Sequence, residues 1–244
     1  MARYALIGSP VSHSLSPLLM KRLGIPYEAL EIKPEELSAF MAEKAFVFSG
    51  LNITTPLKEQ VIPFMATLSS DAQEINGVNC AVNRGASWEG HNTDLAGILF
   101  ALDYLGIVAT KALILGTGPA ARAAAFALRS RETDFLFLSR LPGPGRITWD
   151  GLDARAFEDN DLIINASPPG TLPLLSEFLG PHNFVLDMNY GERAFDVSET
   201  GAGFSDGVPV LLGQAAASLV LWMGRKFADW AMNLVSVARE IGIL

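Results

Sequence analysis

This 244-residue chain has a single cysteine, Cys80, and only 18 basic residues against 26 acidic ones. One cysteine excludes a disulfide scaffold and a cysteine-ligated zinc site, and we expect no metal. It is also typical of a reducing compartment, so we expect a cytoplasmic protein. The shortage of basic charge argues against nucleic acid as the main partner, because a phosphate backbone needs clustered Lys and Arg.

Long apolar runs are also missing. The longest strongly apolar stretch, residues 215–223, is far shorter than the roughly 20 residues that span a bilayer. The residues before Gly8 are too few and too weakly apolar for a signal peptide, so we expect no membrane partner. Half of all residues are nevertheless hydrophobic, which is enough for a sizeable core in one large or two modest domains.

Short apolar runs alternate with helical patterns along the chain. This alternation predicts an α/β fold with mostly parallel sheets. Strands are predicted at 4–7, 27–32, 46–53, 78–82, 112–115, 135–138, 161–165 and 183–188, with a short one near Phe204. Helices are predicted at 17–23 (with Ser16 as N-cap), 34–45, 57–67, 93–105, 119–130 and 211–241, the last with a break near Gly224.

We draw a domain boundary near Thr93. Residues 1–93 and 214–244 are expected to form one domain, to which the C-terminal helices return, and residues 94–213 the other. Within the second domain, only a short Pro-Gly run separates strand 135–138 from residues 146–149. Because a parallel crossover needs a dozen or more residues, we expect 146–149 to be an irregular or antiparallel edge, or no strand.

A glycine turn, Gly116-x-Gly118-x-x-Ala121, follows predicted strand 112–115 and opens an Ala-rich helix. This is the context of a dinucleotide-binding fingerprint. Gly116 permits the tight turn, Gly118 lets the backbone approach a pyrophosphate, and Ala121 allows close helix–strand packing. The helix N-terminus would face the anion. The alternative is an ordinary strand–helix turn.

The end of strand 135–138 indicates which dinucleotide binds. An NAD enzyme usually has Asp or Glu about 20 residues after the glycine turn, whereas this strand ends in Ser139-Arg140. Arg140 suits a 2′-phosphate because its guanidinium is a planar, permanently charged fork, although it could be an ordinary surface arginine. The missing acid favours NADP.

Small polar residues are dense in the first domain, in four segments: 12–17, 52–58, Asn79 and 92–94. Most of them follow predicted strands, and ligands of α/β sheets bind beyond the carboxyl ends of the strands. Hydroxyls, amides, one Lys and one Asp suit a polyhydroxylated, carboxylated small molecule. Alternatively, each residue is a turn or cap residue.

Taken together, the polar and glycine segments resemble the shikimate dehydrogenase family in order and extent. The matching segments are Ser14-Leu-Ser16-Pro17, Asn52-Ile-Thr54-Thr-Pro56-Leu-Lys58, Gly77-Val-Asn79, Asn92-Thr93-Asp94, Gly116-Thr-Gly118, Asn165-Ala166-Ser167, Asp187-Met-Asn-Tyr190, Asp206-Gly207 and Gln214-Ala-Ala. The resemblance implies an α/β substrate-binding domain and a Rossmann-like NADP-binding domain flanking a cleft. It also implies reversible NADPH-dependent reduction of 3-dehydroshikimate to shikimate, in aromatic amino-acid biosynthesis.

The resemblance assigns a role to each matching position. Lys58 and Asp94 would be the catalytic pair. Ser14 and Ser16 would bind the substrate carboxylate with Tyr190. The ring hydroxyls would be bound by Asn52, Thr54, Asn79, Asp94 and Gln214. The cofactor would be held by Gly116, Gly118, Pro119, Ala120, Ala121, Ser139, Arg140, Ala166, Ser167 and Gly207. His13 is a rival acid/base that we interpret as a turn residue.

The chain departs from the family pattern after Arg140, where a Pro-Gly run replaces a segment that often carries a second basic residue. The protein therefore resembles a shortened member, for which NAD use stays open. The alternatives are an NAD-using quinate/shikimate dehydrogenase and a non-catalytic nucleotide-binding regulator. The presence of Lys58 and Asp94 argues against the regulator, which needs no proton donor. We expect a monomer or a homodimer.

Overall fold

The computed structural model describes residues 2–195 and 197–244. The chain divides into two compact units: unit 1 comprises Met1–Gly97 and Leu212–Leu244, and unit 2 comprises Ile98–Leu211. Each unit contains one six-stranded sheet among the described residues, and helices connect most of the strands. The α/β class predicted from the alternating pattern is thereby confirmed.

The strands are β1 Tyr4–Gly8, β2 Tyr27–Glu31, β3 Gly50–Ile53, β4 Thr67–Leu68, β5 Cys80–Asn83, β6 Trp88–His91, β7 Lys111–Leu115, β8 Asp134–Ser139, β9 Arg146–Thr148, β10 Leu162–Asn165, β11 Phe184–Asp187 and β12 Gly203–Ser205. The α-helices are α1 Ser16–Arg22, α2 Leu37–Ala39, α3 Leu57–Gln60, α4 Ser70–Ile75, α5 Asp94–Tyr104, α6 Pro119–Ser130, α7 Arg155–Glu158, α8 Val208–Met223 and α9 Phe227–Glu240. A π-helical turn, Phe40–Lys44, continues α2.

The sheet of unit 1 has the order β2-β1-β3-β5-β6-β4, and β5 alone runs against its neighbours. Reversal of one strand places the start of β5 at the edge where β1, β3 and β6 end. Loops that follow three strands and precede a fourth therefore meet at this edge. This edge positions the candidate site described below.

Trp222 of helix α8 packs against the sheet of unit 1 and is hydrogen-bonded to it. The indole stacks on Tyr4 with ring centroids 4.7 Å apart, and its Nε1 donates to the Ala81 carbonyl oxygen at 3.1 Å. A Cβ on Gly50 would lie 2.2 Å from Trp222 Nε1, so this strand position admits only glycine without displacing the indole. The close approach brings the residues of α8 against the strands.

The sheet of unit 2 has the order β12-β11-β10-β7-β8-β9 with every neighbouring pair parallel. This is the strand order of a doubly wound fold. The first strand of the sheet, β7, is central, β8 and β9 follow it toward one edge, and β10, β11 and β12 continue from β7 toward the other edge. The central strands β7 and β10 are buried except at Lys111, as expected for strands covered on both faces. The order reverses between β7 and β10, which is where such folds bind nucleotides.

The expectation that 146–149 is an irregular or antiparallel edge was wrong. Residues 146–148 form β9, which pairs in parallel with β8, with Arg146 opposite Phe137. Strand β8 ends at Ser139, and Arg146 begins β9 opposite Phe137. Loop 140–145 therefore runs back along β8 by only two residues, about 7 Å, and moves sideways by one strand spacing, about 4.8 Å. Six extended residues can reach about 20 Å. The dozen-residue minimum applies only to crossovers that return along a whole strand.

The helix predicted over 57–67 was also partly wrong. Helix α3 ends at Gln60, a 3₁₀ turn covers Ile62–Phe64, and β4 follows. Pro63 lacks an amide hydrogen and its ring would clash with a carbonyl one turn earlier, so the helix cannot continue. Likewise, the strand predicted over 46–53 begins only at Gly50, after a 3₁₀ turn at Ala45–Val47.

Strand β6 was not predicted, although it forms a hairpin with β5. It ends at His91, whose imidazole is largely buried. Burial lowers the pKa of His91 below its usual range, although the Glu89 carboxylate lies 3.3 Å from Nε2. The unfolded chain takes up this proton near pH 6.5, whereas the folded chain takes it up only at lower pH.

We therefore expect the unfolding free energy to fall as the pH drops through about 6.5, by at most about 1.4 kcal/mol per pH unit from this residue. In His91→Gln this component of the slope should be missing. Chemical denaturation of both proteins between neutral and mildly acidic pH measures the difference. Equal slopes in the two proteins would contradict the assignment.

Candidate active site

Polar side chains from three parts of the chain converge at the edge of the unit 1 sheet where β3 and β6 end. Asn52 lies in β3, Asn79 immediately precedes β5, and Asp94 begins α5 directly after β6. The reversed direction of β5 is the reason that Asn79 joins the others. Its carbonyl oxygen accepts from Ile53 N at 2.8 Å, and its N–H donates to His91 O at 3.1 Å.

Lys58 and Asp94 form a largely buried ion pair. Lys58 Nζ lies 2.6 Å from Asp94 Oδ2, and the two side chains are only 16% and 9% exposed. Asp94 Oδ1 accepts a second hydrogen bond from Asn79 Nδ2 at 2.7 Å. Because both oxygens accept hydrogen bonds, the arrangement suits an ionised Asp94 facing an ammonium group.

The backbone around Asp94 is fixed by two asparagines. Asn92 Oδ1 accepts from Asp94 N at 3.1 Å, and its Nδ2 donates to the Gly77 carbonyl oxygen at 2.8 Å. Asn79 Oδ1 accepts from Thr93 N at 2.6 Å and from Thr93 Oγ1 at 3.1 Å. The start of α5 is therefore hydrogen-bonded to the loop before β5, and this sets the direction of the Asp94 carboxylate.

Asn52 is the centre of a second, buried network. Its Oδ1 accepts from Tyr27 Oη at 2.8 Å, and its Nδ2 donates to Ser218 Oγ at 3.0 Å and to Asn79 O at 3.3 Å. Sequence reasoning missed Tyr27 and Ser218. Nothing distinguishes Tyr27 from an ordinary strand tyrosine, whereas a serine inside the apolar α8 segment, four residues after Gln214, is a usable signal.

The loops after β1 and β3 touch because of Gly8. A Cβ on Gly8 would lie 2.3 Å from Thr54 Cγ2 and 3.0 Å from the Thr55 carbonyl oxygen. Ser14 and Ser16 follow in the β1 loop, where Ser14 Oγ accepts from Ser16 N at 3.2 Å. Ser16 was predicted as the N-cap of α1, but it is the first helical residue and Leu15 occupies the N-cap position.

Unit 2 presents a glycine turn at the point where its strand order reverses. Gly116 has φ +106°, and a Cβ there would lie 3.1 Å from the Ala166 carbonyl oxygen in the loop after β10. Apart from Gly118 itself and its two chain neighbours, no described residue has an atom within 4 Å of where a Gly118 Cβ would be, so a ligand can approach this backbone closely. Pro119 then begins α6, whose first turn has no acidic residue.

The end of β8 carries the two residues predicted to read the cofactor's ribose. Ser139 is buried and its Oγ accepts from Leu141 N at 3.2 Å. Arg140 is exposed and makes no hydrogen bond or ion pair within the described part of the chain. With the open glycine turn and the helix N-terminus, these residues fit a dinucleotide that carries an additional phosphate.

A buried carboxylate, Asp187, joins the loops after β10 and β11. Its Oδ1 accepts from Asn165 Nδ2, Asn189 N and Asn189 Nδ2, at 2.9–3.0 Å. Burial raises the pKa of Asp187, and these hydrogen bonds oppose the shift. Asn165 Oδ1 in turn accepts from Ser167 N at 3.2 Å, so the network holds the loop that touches Gly116.

Two further predicted residues lie near this network. Gly207 N donates to Asn189 O at 2.8 Å, and a Cβ on Gly207 would lie 2.4 Å from the Met188 carbonyl oxygen. Tyr190 follows β11 and therefore belongs to unit 2, whereas Ser14 and Ser16 belong to unit 1. Gln214 belongs to unit 1, where its carbonyl oxygen accepts from Ser218 Oγ at 2.9 Å.

Across residues 2–195 and 197–244, no three His, Cys, Asp or Glu side chains are grouped so that they could hold a metal ion. None of the helices in that part of the chain has the length and apolar character needed to cross a membrane.

Comparison with known proteins identifies relatives over nearly the full length. Residues 6–81 match the family model described as the shikimate dehydrogenase substrate binding domain. Shikimate dehydrogenase (NADP(+)) of Moorella thermoacetica is 34% identical, over 95% of this chain and 91% of its own. The same enzyme of Thermococcus kodakarensis is 36% identical, over 91% of both chains.

Solved structures agree with these relatives. The crystal structure of shikimate 5-dehydrogenase from Thermus thermophilus in complex with shikimate covers 100% of both chains, at 30% identity and a TM-score of 0.83. The complex of that enzyme with NADP(H) and shikimate covers 97% of this chain and 100% of its own, at 29% identity and a TM-score of 0.81. On this similarity in sequence and fold, the chain belongs to the shikimate dehydrogenase family.

Proposed function

We propose that this protein catalyses the reversible NADPH-dependent reduction of 3-dehydroshikimate to shikimate, in aromatic amino-acid biosynthesis. The observation that carries the proposal is the buried Lys58–Asp94 pair, held by Asn79 at the edge of the unit 1 sheet. A protein that only binds a nucleotide has no need of such a proton donor. Family membership supplies the reaction to which this pair is suited.

We assign substrate binding to residues 1–93 and 214–244 and NADP binding to residues 94–213. The division of the chain into compact units at Gly97 and Leu212 supports this assignment. Ring hydroxyls are bound by Asn52, Thr54, Asn79, Asp94 and Gln214, all of which lie in unit 1. We assign binding of the substrate carboxylate to Ser14, Ser16 and Tyr190.

Reduction places a hydride on the C3 carbonyl carbon and a proton on its oxygen. Lys58 donates this proton as the ammonium, and in the reverse direction its amine accepts the proton. Asp94 directs the Lys58 side chain and stabilises its charge. Both Asp94 oxygens already accept hydrogen bonds, which supports Lys58 as the member of the pair that carries the proton.

Unit 2 holds the cofactor in this proposal. When bound, the nicotinamide supplies the hydride. The glycine turn and the start of α6 bind the pyrophosphate through Gly116, Gly118, Pro119, Ala120 and Ala121, and Ser139 and Arg140 bind the ribose with its 2′-phosphate. Ala166 and Ser167 in the loop after β10 and Gly207 after β12 contribute from the other side of the point where the strand order reverses. We further propose that the enzyme is cytoplasmic and is a monomer or a homodimer, which sedimentation equilibrium distinguishes.

The activity is tested by following NADPH formation from shikimate and NADP⁺ in the near ultraviolet. Quinate and NAD⁺ are tested in parallel. We expect turnover with shikimate and NADP⁺. A protein that binds NADP⁺ without oxidising shikimate would contradict the proposal and support a non-catalytic binding role.

We expect NADP to be preferred over NAD through Arg140. A charge-assisted hydrogen bond is worth roughly 1.5–3 kcal/mol, which corresponds to about ten- to hundredfold discrimination. Arg140→Ala should erase most of this preference by weakening NADP use while leaving NAD use little changed. The measurement is kcat/KM with each cofactor for both proteins.

Arg129→Ala is the matched control, because Arg129 is also an exposed arginine of unit 2 but lies at the end of α6, which leads into the start of β8. It should leave the cofactor ratio unchanged. If the unmodified enzyme prefers NAD, or if Arg140→Ala leaves the ratio unchanged, the assignment of Arg140 is wrong. An NAD-using quinate/shikimate dehydrogenase then becomes the better description.

A further inference from the structure

The side chain of Asn52 is held by groups that have no role in the proposed reaction. The Tyr27 hydroxyl donates to Oδ1 at 2.8 Å, and the Ser218 hydroxyl accepts from Nδ2 at 3.0 Å. Tyr27 reaches Asn52 from β2, and Ser218 reaches it from α8, which is 166 residues further along the chain. Two elements that are distant in sequence thus both contact Asn52, a residue proposed to bind the substrate.

These partners decide which end of the amide is available. The Asn79 carbonyl oxygen can only accept, so the amide nitrogen of Asn52 must face it, at 3.3 Å. The second amide hydrogen goes to Ser218, and Tyr27 occupies one lone pair of Oδ1. The one hydrogen-bonding position of the Asn52 amide that is left is the other lone pair of Oδ1, which can only accept a hydrogen bond from a ligand.

Ser218 also anchors this arrangement to the rest of the site. It is completely buried, its Oγ donates to the Gln214 carbonyl oxygen at 2.9 Å, and it lies 3.2 Å from Thr93 Oγ1. Its hydroxyl therefore links the strand that carries Asn52 to the residue preceding Asp94. Removing it would leave a buried Asn52 N–H without one of its acceptors.

We infer that Tyr27 and Ser218 are positioning residues that present Asn52 to the substrate as a hydrogen-bond acceptor and so select for a hydroxyl at one ring position. The inference rests on the proposed function, since it assumes that Asn52 faces a ring hydroxyl. A donor is then required on the ligand, and an analogue without that hydroxyl loses the benefit of the arrangement. Neither positioning residue needs to touch the substrate.

The test is a double-mutant cycle read out as shikimate binding without cofactor, by calorimetry. Tyr27→Phe should weaken binding by up to about tenfold, the value of one neutral hydrogen bond. In the Asn52→Ala background, the same change should have no further effect, because its route to the substrate has been removed. A residue that touches shikimate itself would weaken binding in both backgrounds.

Tyr4→Phe is the matched control. Tyr4 is opposite Tyr27 in the strand register and packs on the same indole of Trp222. The substitution therefore removes a tyrosine hydroxyl from the same aromatic cluster. Shikimate binding should be unchanged in this variant. A loss equal to that of Tyr27→Phe would show that disturbed packing is the cause, and would overturn the inference.

Ser218→Ala supplies a second arm, with thermal unfolding recorded for every variant. It should also weaken shikimate binding, and the loss should disappear in the Asn52→Ala background. If Ser218→Ala does not fold, the Tyr27 cycle decides alone. Among analogues that each lack one ring hydroxyl, one should bind wild type and Tyr27→Phe equally. An equal penalty for all analogues would overturn the inference, whereas a wild-type protein that does not bind shikimate would refute the proposed function instead.

Discussion

Lys58→Ala should reduce turnover by about 10²–10⁴-fold while changing shikimate affinity much less. This range is the usual contribution of a positioned proton donor, and in the proposed mechanism Lys58 is that donor. The side chain is well placed for the role because it is only 16% exposed and lies 2.6 Å from Asp94. The measurements are kcat for shikimate oxidation and the dissociation constant of shikimate.

Two controls separate proton transfer from a structural effect. Lys21→Ala removes an exposed lysine of α1 in the same unit and should leave kcat unchanged. Small primary amines added to Lys58→Ala should restore part of the turnover, because they supply the missing proton donor. Near-normal turnover in purified, folded Lys58→Ala would remove Lys58 from the mechanism.

Asp94→Asn should cause a loss of turnover similar to that of Lys58→Ala. The amide keeps the shape of the carboxylate but removes its charge, and its nitrogen would face either the Lys58 ammonium or the Asn79 amide nitrogen, which are both donors. The ion pair that directs Lys58 is then lost. The expected reduction in kcat is again on the order of 10²-fold or more.

The double variant Lys58→Ala with Asp94→Asn tests whether the pair acts as a unit. Residues that work together are strongly non-additive, so the double variant should be little worse than either single variant. Asn83→Ala serves as the control, because Asn83 likewise makes side-chain hydrogen bonds in unit 1 but lies at the far end of β5. Losses that multiply fully would show that Lys58 and Asp94 act independently.

Much of the fold could be predicted because local patterns carry it. The buried runs at β7 and β10, the glycine turn and the Ala-rich α6 each contain their own signal, and all were placed within a residue or two. The helix predicted over 57–67 failed at Pro63, which is a local signal, whereas the strand failure at β9 occurred where pairing partners decide the structure. Strand β9 is a strand because β8 offers an edge within reach of loop 140–145, and this depends on a register that no local pattern specifies.

The candidate site divides in the same way. Residues such as Lys58 and Asp94 could be selected because a charged side chain in an otherwise small and polar segment is a local signal. Tyr27 and Ser218 could not, because their significance lies entirely in being 2.8 Å and 3.0 Å from Asn52. The role of Asp187 in joining two loops is likewise visible only from its hydrogen-bond partners.

The sequence by itself determined the α/β class, the glycine turn, the family and the residue types available for proton transfer and phosphate binding. These depend on short-range periodicity, on glycine conformation and on chemical identity. Only the tertiary structure decided that β5 runs in reverse, that β9 joins its sheet in parallel and that the Asn52 amide turns its nitrogen to Asn79 O and Ser218 Oγ. Strand direction, register and amide orientation are set by partners far apart in the chain, because hydrogen-bond donors and acceptors buried on folding must be satisfied wherever the fold brings them together.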